Sequence, residues 1–130
     1  MTATTQRIVT ILVYAEIEAA HDFLVDVFGF SPGGIHRDGD DQVIHGEVLL
    51  DGEAIWLHRV SPDDGLRGAA ELGSVTGMLN VFVPDVDAHH ARSVAAGAKI
   101  LFPPTEQPYG QRDYGVLDLE GRIWSFATRT

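Results

Sequence analysis

The chain has 130 residues, 45% of them hydrophobic and 22% charged, a balance that is typical of a single folded domain and excludes a disordered chain. Its 19 acidic and 9 basic residues give a formal charge of −10, which argues against a nucleic-acid partner because no basic patch offsets it. Cysteine is absent, which excludes disulfides, zinc fingers, thiolate metal sites and a cysteine nucleophile.

The first predicted elements are a buried strand and an amphipathic helix. Residues 1–7 are polar and lack the apolar core of a signal peptide, and no apolar run approaches the ~18 residues that span a bilayer, so we expect a cytoplasmic protein. Residues 7–14 are rich in β-branched and aliphatic side chains, as in a strand buried on both faces. Apolar residues then recur at helical spacing over residues 17–28, and Gly29 stands where that helix would end.

Turn-rich sequence and a hairpin complete the first half. Gly33, Gly34 and the acidic residues 38–41 have the composition of turns. Residues 43–50 alternate loosely between apolar and polar side chains. Asp51-Gly52 is typical of a hairpin turn, and residues 53–60 are the predicted return strand.

The second half repeats this order after a break. Residues 61–76 contain one proline and three glycines and predict a linker, in which residues 69–72 can form a helical turn. Residues 77–83 are an apolar strand, and Asp85 can cap a helix that runs to about residue 96 and ends at Gly97. The remaining predicted strands are residues 99–102, stopped by Pro103-Pro104, and residues 112–119 and 122–128, joined by a turn at 120–121.

Each half therefore reads as a strand, a helix and about three strands. We predict an α+β fold with one domain over residues 1–130, built from two tandem βαβββ modules. Module 1 covers about residues 6–60, the linker about 61–75 and module 2 about 76–130. One such unit buries little apolar surface alone, whereas two units that share a sheet bury a proper core.

Three segments of the chain resemble one known family. AHDFLVDVFGF (residues 20–30) looks like the family's first helix and its aromatic-Gly-aromatic corner. VFVPDVDAHHARSVAAGAKI (81–100) resembles its second-half strand and helix, and PYGQRDYGVLDLEGRIWSFAT (108–128) resembles its C-terminal hairpin. The family is the vicinal oxygen chelate superfamily, which includes glyoxalase I, extradiol dioxygenases and bleomycin-resistance proteins. The resemblance implies curled mixed sheets, and homodimers in which modules of two chains complete each ligand-binding cup.

The resemblance also identifies four positions that would hold a metal. In metal-dependent members, His and Glu or Gln side chains from the first and last strand of each module bind a divalent ion. Valine, tryptophan and methionine are not ligands for a hard divalent ion, and serine is a poor one. We therefore expect the family's metal site to be absent and no cofactor to be bound, which argues against a metal-dependent glyoxalase or dioxygenase. The matching positions are Val9 (or Thr10), Trp56, Met78 and Ser125.

The strand period of two predicts which side chains face the cup. Trp56 shares a face with His58, and His45 shares one with Glu47, which we assign to the cup. Aromatic walls with a few polar groups are typical of a small-molecule pocket, and burying such polar groups without partners is costly. The predicted cup residues are His45, Glu47, Trp56, His58, Met78, Asn80, Phe82 and Ser125.

Three more candidates enter the last hairpin. Arg112 could pair with an anionic ligand group, or with Asp113 or another surplus acid. Tyr109 and Tyr114 could line the rim of the pocket. The alternative is that all three are scaffold, because this stretch is also the structural signature of the family.

Several other polar residues are expected to have no functional role. Adjacent helical residues point about 100° apart, so His89 and His90 cannot clamp one ion and are expected on a solvated helix face. His21 is expected to be exposed, His36 to lie beside a turn, and residues 118–121 to be a turn only.

Three functions remain open. The first is metal-independent binding, or sequestration, of a small organic or antibiotic-like molecule. The second is an enzyme of lyase, isomerase, hydrolase or dioxygenase type that uses Glu47, His45 and His58 as acid–base groups or as a non-standard metal site. The third is a structural or regulatory dimer whose cups are filled by its own side chains. The negative charge gives a weak preference for neutral or cationic ligands.

Overall fold

Each module forms one four-stranded mixed sheet, which confirms the predicted α+β fold. The computed structural model describes residues 5–130, so residues 1–4 of the polar N-terminal segment, for which we expect no signal peptide, lie outside the described range. Module 1 contains β1 (Thr10–Tyr14), α1 (Ile17–Asp26), β2 (Ser31–Arg37), β3 (Val43–Leu50) and β4 (Glu53–Arg59). A 3-10 turn (Pro62–Asp64) and α2 (Ala69–Leu72) follow, and module 2 contains β5 (Leu79–Phe82), α3 (Val86–Ala95), β6 (Lys99–Gln107), β7 (Gln111–Leu117) and β8 (Ile123–Arg129).

The two sheets have the same strand order. Sheet 1 runs β1-β4-β3-β2 and sheet 2 runs β5-β8-β7-β6. The first and last strands of each module pair in parallel, and the other neighbours pair antiparallel. Within residues 5–130, no helix is long and apolar enough to cross a membrane.

The helix-side faces of the two sheets pack into one shared core. Leu57 of sheet 1 is fully buried, as are Trp124 and Phe126 of sheet 2. Phe28, just after α1, packs edge-on against both aromatic rings, with centroid distances of 5.7 Å to Trp124 and 4.9 Å to Phe126. Because the core occupies the helix-side faces, the opposite faces, named here the outer faces, are the faces that the core leaves uncovered.

Helix α1 is capped at both ends by residues of module 2. The Glu120 carboxylate accepts hydrogen bonds from the backbone N–H groups of Ala15 (2.8 Å) and Glu16 (2.9 Å), just before the helix begins. At the other end, the Arg92 guanidinium donates to the carbonyl of Asp26 at 3.1 Å. An anion at the N-terminus and a cation at the C-terminus both complement the helix dipole. The helix has no side-chain cap of its own at Glu16 and no basic residue in its last turn.

Asp118 is a second tie between the modules, although residues 118–121 were expected to be a turn and no more. Its carboxylate is 5% exposed and accepts hydrogen bonds from the Tyr14 hydroxyl at 2.6 Å and from the Trp124 indole N–H at 3.0 Å. It also accepts the backbone N–H groups of Glu120 and Arg122. Burial, followed by the nearby Asp118 charge, raises the pKa of Tyr14. A turn acid therefore holds β1 of module 1 against β8 of module 2.

His89 lies between the modules and not on a solvated helix face. Its Nε2 lies 2.8 Å from the carbonyl of Phe28 and its Nδ1 lies 2.6 Å from the Tyr114 hydroxyl. A carbonyl only accepts, so Nε2 carries the hydrogen and Nδ1 accepts from Tyr114, as in a neutral ring. Burial lowers the pKa of His89, and burial raises the pKa of Tyr114 to about 12. The ring also stacks on Phe126 at 4.0 Å.

His21 is another correction to the expected exposure. It is 8% exposed and belongs to the buried face of α1 with Ile17 and Leu24, although it was expected among the solvated residues of the helix. Its Nδ1 lies 3.0 Å from the Asp22 carboxylate. The prediction relied on the polar residues next to His21 in the sequence. His21 follows Ile17 by four residues and precedes Leu24 by three, and this spacing places it on the buried face of the helix.

Two predicted interruptions are strand residues in the structure. Gly33 and Gly34 lie within β2, where the register shifts, and not in a turn. A Cβ on Gly33 would lie 2.7 Å from the carbonyl oxygen of Glu47, so only glycine allows this approach. Pro103 and Pro104 lie within β6 at another register shift and do not stop the strand. Both strands are sheet edges, where a missing ladder hydrogen bond is tolerated.

We expect Asp118→Ala to lower the free energy of unfolding by about 2–4 kcal/mol, because the Tyr14 hydroxyl and the Trp124 N–H lose their shared buried acceptor. Urea denaturation followed by circular dichroism measures the change. The control is Asp63→Ala at an exposed position, expected to change stability by less than about 0.5 kcal/mol. An Asp118→Ala protein as stable as the wild type would show that this carboxylate does not tie the modules.

We expect the protein to lose stability as the pH falls below 6.5, in part through His89. The folded state lowers the pKa of His89 below its ordinary value of 6.5. Between 6.5 and that lowered value, the unfolded state binds a proton that the folded state does not, so the free energy of unfolding decreases as the pH falls. Urea denaturation at several pH values measures the decrease, which should be smaller for His89→Gln. Equal slopes for the two proteins would contradict this role of His89.

Candidate functional site

The outer face of sheet 1 carries four of the predicted cup residues. On the paired strands β3 and β4, His45 lies opposite His58, and Glu47 lies opposite Trp56. Successive side chains of a strand point to opposite faces, so Leu57 enters the core while Trp56 and His58 point outward. The strand period therefore predicts the correct common face for these residues.

Trp56 and Glu47 form a hydrogen-bonded pair on this face. The indole Nε1 of Trp56 donates to the Glu47 carboxylate at 3.0 Å. Trp56 is nevertheless 38% exposed. The ring of His45 lies 5.5 Å from the indole centroid in an edge-on orientation. Loss of hydration, and then the neighbouring imidazole of His36, lowers the pKa of His45, so this ring is neutral at neutral pH. An exposed indole face beside a carboxylate can stack on a flat ligand and attract a positive group.

His36 belongs to the same outer face, although it was expected beside a turn. It lies on β2 directly opposite His45, and the two ring centroids are 5.5 Å apart. The glycine pair in β2 led to the prediction of a turn where the structure has a strand. The available signal was the alternation of His36 with Ile35, which packs against the core.

A network of polar side chains crosses the outer face of sheet 2. Asn80 and Ser125, both predicted, lie opposite each other, and the Ser125 hydroxyl donates to the Asn80 side-chain oxygen at 2.9 Å. The Gln111 amide donates to that same oxygen at 3.0 Å and to the Asp113 carboxylate at 2.7 Å. Gln107 donates to the other oxygen of Asp113 at 2.8 Å. The network fixes the position of an almost fully buried carboxylate.

Sequence reasoning missed three members of this network, which are Gln107, Gln111 and Asp113. Gln107 lies beyond the point where the proline pair was expected to end the strand. Gln111 and Asp113 alternate with the core residue Tyr114 along β7, and this alternation was the signal that could have found them.

Phe82 and Phe102 provide apolar surface on the outer face of sheet 2. Phe82 is 37% exposed, and the Arg129 guanidinium lies over its ring, 3.6 Å from the centroid. Phe102 is 38% exposed and was not predicted. Its ring covers Gly115, where a Cβ would lie only 2.5 Å from a ring carbon, so the glycine makes room for this aromatic side chain.

The last hairpin places its three candidates differently from the prediction. Tyr114 is fully buried in the shared core and cannot line a rim. Arg112 binds the Asp87 carboxylate of α3 at 2.8 and 3.1 Å, which is the pairing with a surplus acid that the sequence left open. This guanidinium lowers the pKa of Asp87. Tyr109 is 69% exposed in the turn between β6 and β7, and Met78, just before β5, is 53% exposed.

A cavity of about 610 Å³ lies in the seam between the β1 and β5 edges. Asn80 and Phe82 line it, whereas the sheet 1 group around Trp56 lies outside it. An open sheet face encloses no volume until a second wall covers it. The predicted cup is therefore divided, within one chain, into two separate outer faces.

The residues at the family's four metal positions do not fit a divalent ion. The Trp56 N–H donates to Glu47, and the Ser125 hydroxyl donates to Asn80. Met78 offers a thioether and Val9 has no donor atom. Among residues 5–130, no group of three or more His, Asp or Glu side chains is placed to hold a metal ion.

Comparisons with known proteins agree with this architecture. The family model described as Glyoxalase/Bleomycin resistance protein/Dioxygenase superfamily matches residues 6–126. The uncharacterised protein Mb0911c of Mycobacterium bovis is 30% identical over 118 residues, which are 88% of this chain and 77% of that protein. The crystal structure of TioX from Micromonospora sp. ML1 is 33% identical, has a TM-score of 0.76, and covers 96% of this chain and 99% of its own. TnmS3 from Streptomyces sp. CB03234, described as an antibiotic binding protein, is 22% identical with a TM-score of 0.75 over the full length of both chains, which shows a common fold.

Proposed function

Because the chain belongs to the glyoxalase/bleomycin resistance protein/dioxygenase superfamily, as its sequence resemblance implied, we propose that it binds and sequesters a small organic, antibiotic-like molecule without a metal ion. The family contains both enzymes and binding proteins, so membership alone leaves the activity open. The choice depends on the chemistry of the two outer faces.

The observation that carries this proposal is the exposure of aromatic rings among fixed polar groups. Trp56, Phe82 and Phe102 are each more than one third exposed on the outer faces. Large exposed apolar side chains that cluster with oriented hydrogen-bonding groups mark binding surfaces, because water solvates the rings poorly. TnmS3 shares this fold and is described as an antibiotic binding protein, which supports the view that the fold can accommodate such a ligand.

We further propose that the binding cup forms in a homodimer. Ile11 lies beside Trp56 on the outer face of sheet 1 and is 52% exposed, and Phe82 leaves similar apolar surface on sheet 2. A cup needs two walls, and the shared core turns the two outer faces of one chain away from each other. In the proposed dimer, the outer face of sheet 1 of one chain opposes the outer face of sheet 2 of its partner, which gives two equivalent cups.

One observation favours a second candidate, an enzyme of lyase, isomerase or dioxygenase type. Glu47 and His45 share one face of β3, and His58 is the register partner of His45, so the three groups could move a proton on a bound substrate. Elemental analysis of protein purified without added metal separates the candidates. A stoichiometric transition metal that is lost in His45→Ala would favour the enzyme and contradict metal-independent binding.

We expect planar aromatic compounds, including aromatic antibiotics, to quench the fluorescence of Trp56 and to raise the melting temperature. Trp124 is fully buried, so quenching should be lost in Trp56→Phe. Removing the stacking surface in Trp56→Ala should raise the Kd about tenfold. The control is Leu72→Ala, which is similarly exposed on α2 and should leave the Kd unchanged. A broad panel in which no compound changes fluorescence or melting temperature would reject the binding function.

We expect the protein in solution to have about twice the chain mass of 14.1 kDa. Sedimentation velocity over a range of concentrations measures this mass. Ile11→Glu places a charge in the proposed interface and should yield monomers, because a desolvated unpaired charge opposes association. Val94→Glu on the exposed side of α3 is the matched control and should leave the dimer intact. A monomeric wild-type protein that still binds ligand would show that one chain forms the cup alone.

A further inference from the structure

Three histidines form a row across the outer face of sheet 1. His36 on β2, His45 on β3 and His58 on β4 occupy the same register position on adjacent strands. Adjacent strands are about 5 Å apart, and the rings of His36 and His45 are 5.5 Å apart. The Nδ1 of His58 donates to the carbonyl of Arg59 at 2.6 Å, which fixes the orientation of this ring. These three imidazoles are named the histidine row.

The histidine row borders a group that can hold an organic cation. One register step away on the same face, the Trp56 indole donates to the Glu47 carboxylate, and the ring of His45 lies 5.5 Å from the indole. A cation over the indole face is attracted both by the π-electrons and by the adjacent carboxylate. The net charge of −10 also favours the approach of cations over anions.

The other charged side chains on these strands are engaged away from the row. Arg37 pairs with Glu18 of α1 at 2.8 Å, and Arg59 lies on the opposite face of β4, where it lines a groove beside α1. The acidic turn, residues 38–41, binds its own backbone and Arg37. Strand β1 contributes apolar side chains to this face, so Glu47 is the charged neighbour of the row on sheet 1. In the proposed dimer, the charged groups of the opposing wall are Asp113, Arg129 and Lys99, which pairs with Leu117 on β7.

Protonation of the row would change the charge of this surface without moving any strand. With neutral rings, the surface beside Trp56 carries the negative charge of Glu47. Loss of hydration, and then the neighbouring imidazole of His36, lowers the pKa of His45, so this ring is neutral at neutral pH. At mildly acidic pH, a proton on His45 would place a positive charge beside the Trp56 indole, whose centroid lies 5.5 Å from the His45 ring.

We infer that the histidine row determines the specificity of the cup: with neutral imidazoles the cup holds a planar aromatic compound that carries an organic cation, and with protonated imidazoles it releases that compound. The inference rests on the proposed function, because it concerns the same cup. A unit charge about 6 Å from the ligand cation at a partly solvated surface weakens binding roughly tenfold.

Three naphthalene probes of similar size test this inference on the full chain. 2-Naphthyltrimethylammonium is a cation, 2-naphthamide is neutral and 2-naphthoate is an anion, and none of them changes charge between pH 5.5 and pH 8. Isothermal titration calorimetry gives the Kd of each probe at both pH values. At pH 8 the cation should bind more tightly than the amide. At pH 5.5 its Kd should rise about tenfold, whereas the Kd of the amide should change less than about twofold.

Matched variants assign the effect to the row. In the triple variant His36→Gln, His45→Gln and His58→Gln, the Kd of the cation should no longer depend on pH. His90→Gln removes a histidine on α3, outside the cup, and should leave the pH dependence unchanged. Circular dichroism at both pH values confirms that each protein is folded. If the triple variant does not fold, the single variant His36→Gln, at an exposed position, should reduce the pH dependence.

The possible outcomes separate this inference from the proposed function. Binding of the cation that does not change with pH, or that changes equally in the triple variant, would overturn the role of the row while leaving the binding function intact. Tighter binding of 2-naphthoate than of the cation, or an equal rise at pH 5.5 in the Kd of the amide and of the cation, would contradict the proposal that the cup prefers a cationic ligand. No binding by any of the three probes would overturn this inference, whereas the proposed function is rejected only when the broad panel of compounds also gives no response.

Discussion

The dependence of helix α1 on module 2 is the constraint from which the rest of the architecture follows. Glu120 supplies the negative group at the start of this helix, and Arg92 supplies the positive group at its end. Asp118 and His89 add buried hydrogen bonds between the same two modules. Because these contacts and the shared aromatic core use the helix-side faces, the outer faces remain uncovered. The same packing arrangement therefore joins the two modules and leaves the candidate site exposed.

The sequence predicts the order of elements well and the interior of the edge strands poorly. Periodicity finds α1, the hairpin of β3 and β4, and the capped helix α3, because each buries one face against its own module. It fails at Gly33 and at the pair Pro103-Pro104, where an edge strand tolerates residues that normally interrupt pairing. It also assigns His89 to solvent, because the residues that surround this ring lie far along the chain, one of them, Phe28, 61 residues away in the other module. Local pattern contains no information about such a partner.

The candidate site shows the same division between local and long-range information. Alternation along one hairpin places His45, Glu47, Trp56 and His58 on a common face, as the structure does. Alternation cannot show that Asn80 and Ser125 lie on a different wall, because the relation between the sheets depends on the core between them. The role of Asp113 depends on amide donors from Gln107 and Gln111, which become neighbours only through a hairpin whose first strand was predicted too short. Strand faces are thus predictable from sequence, whereas the assembly of faces into a site is not.

The irregularities in β2 and β6 have a consequence for the behaviour of the protein at high concentration. Each strand is one of the two edge strands of its sheet, and each is interrupted shortly after the helix of its module. A regular edge offers a continuous ladder of unpaired backbone groups on which further chains can grow into fibrils. The glycine bulge in one strand and the proline pair in the other break that ladder at equivalent places. At these two edges the duplicated fold therefore resists open-ended polymerisation, although aromatic side chains stay exposed on its outer faces.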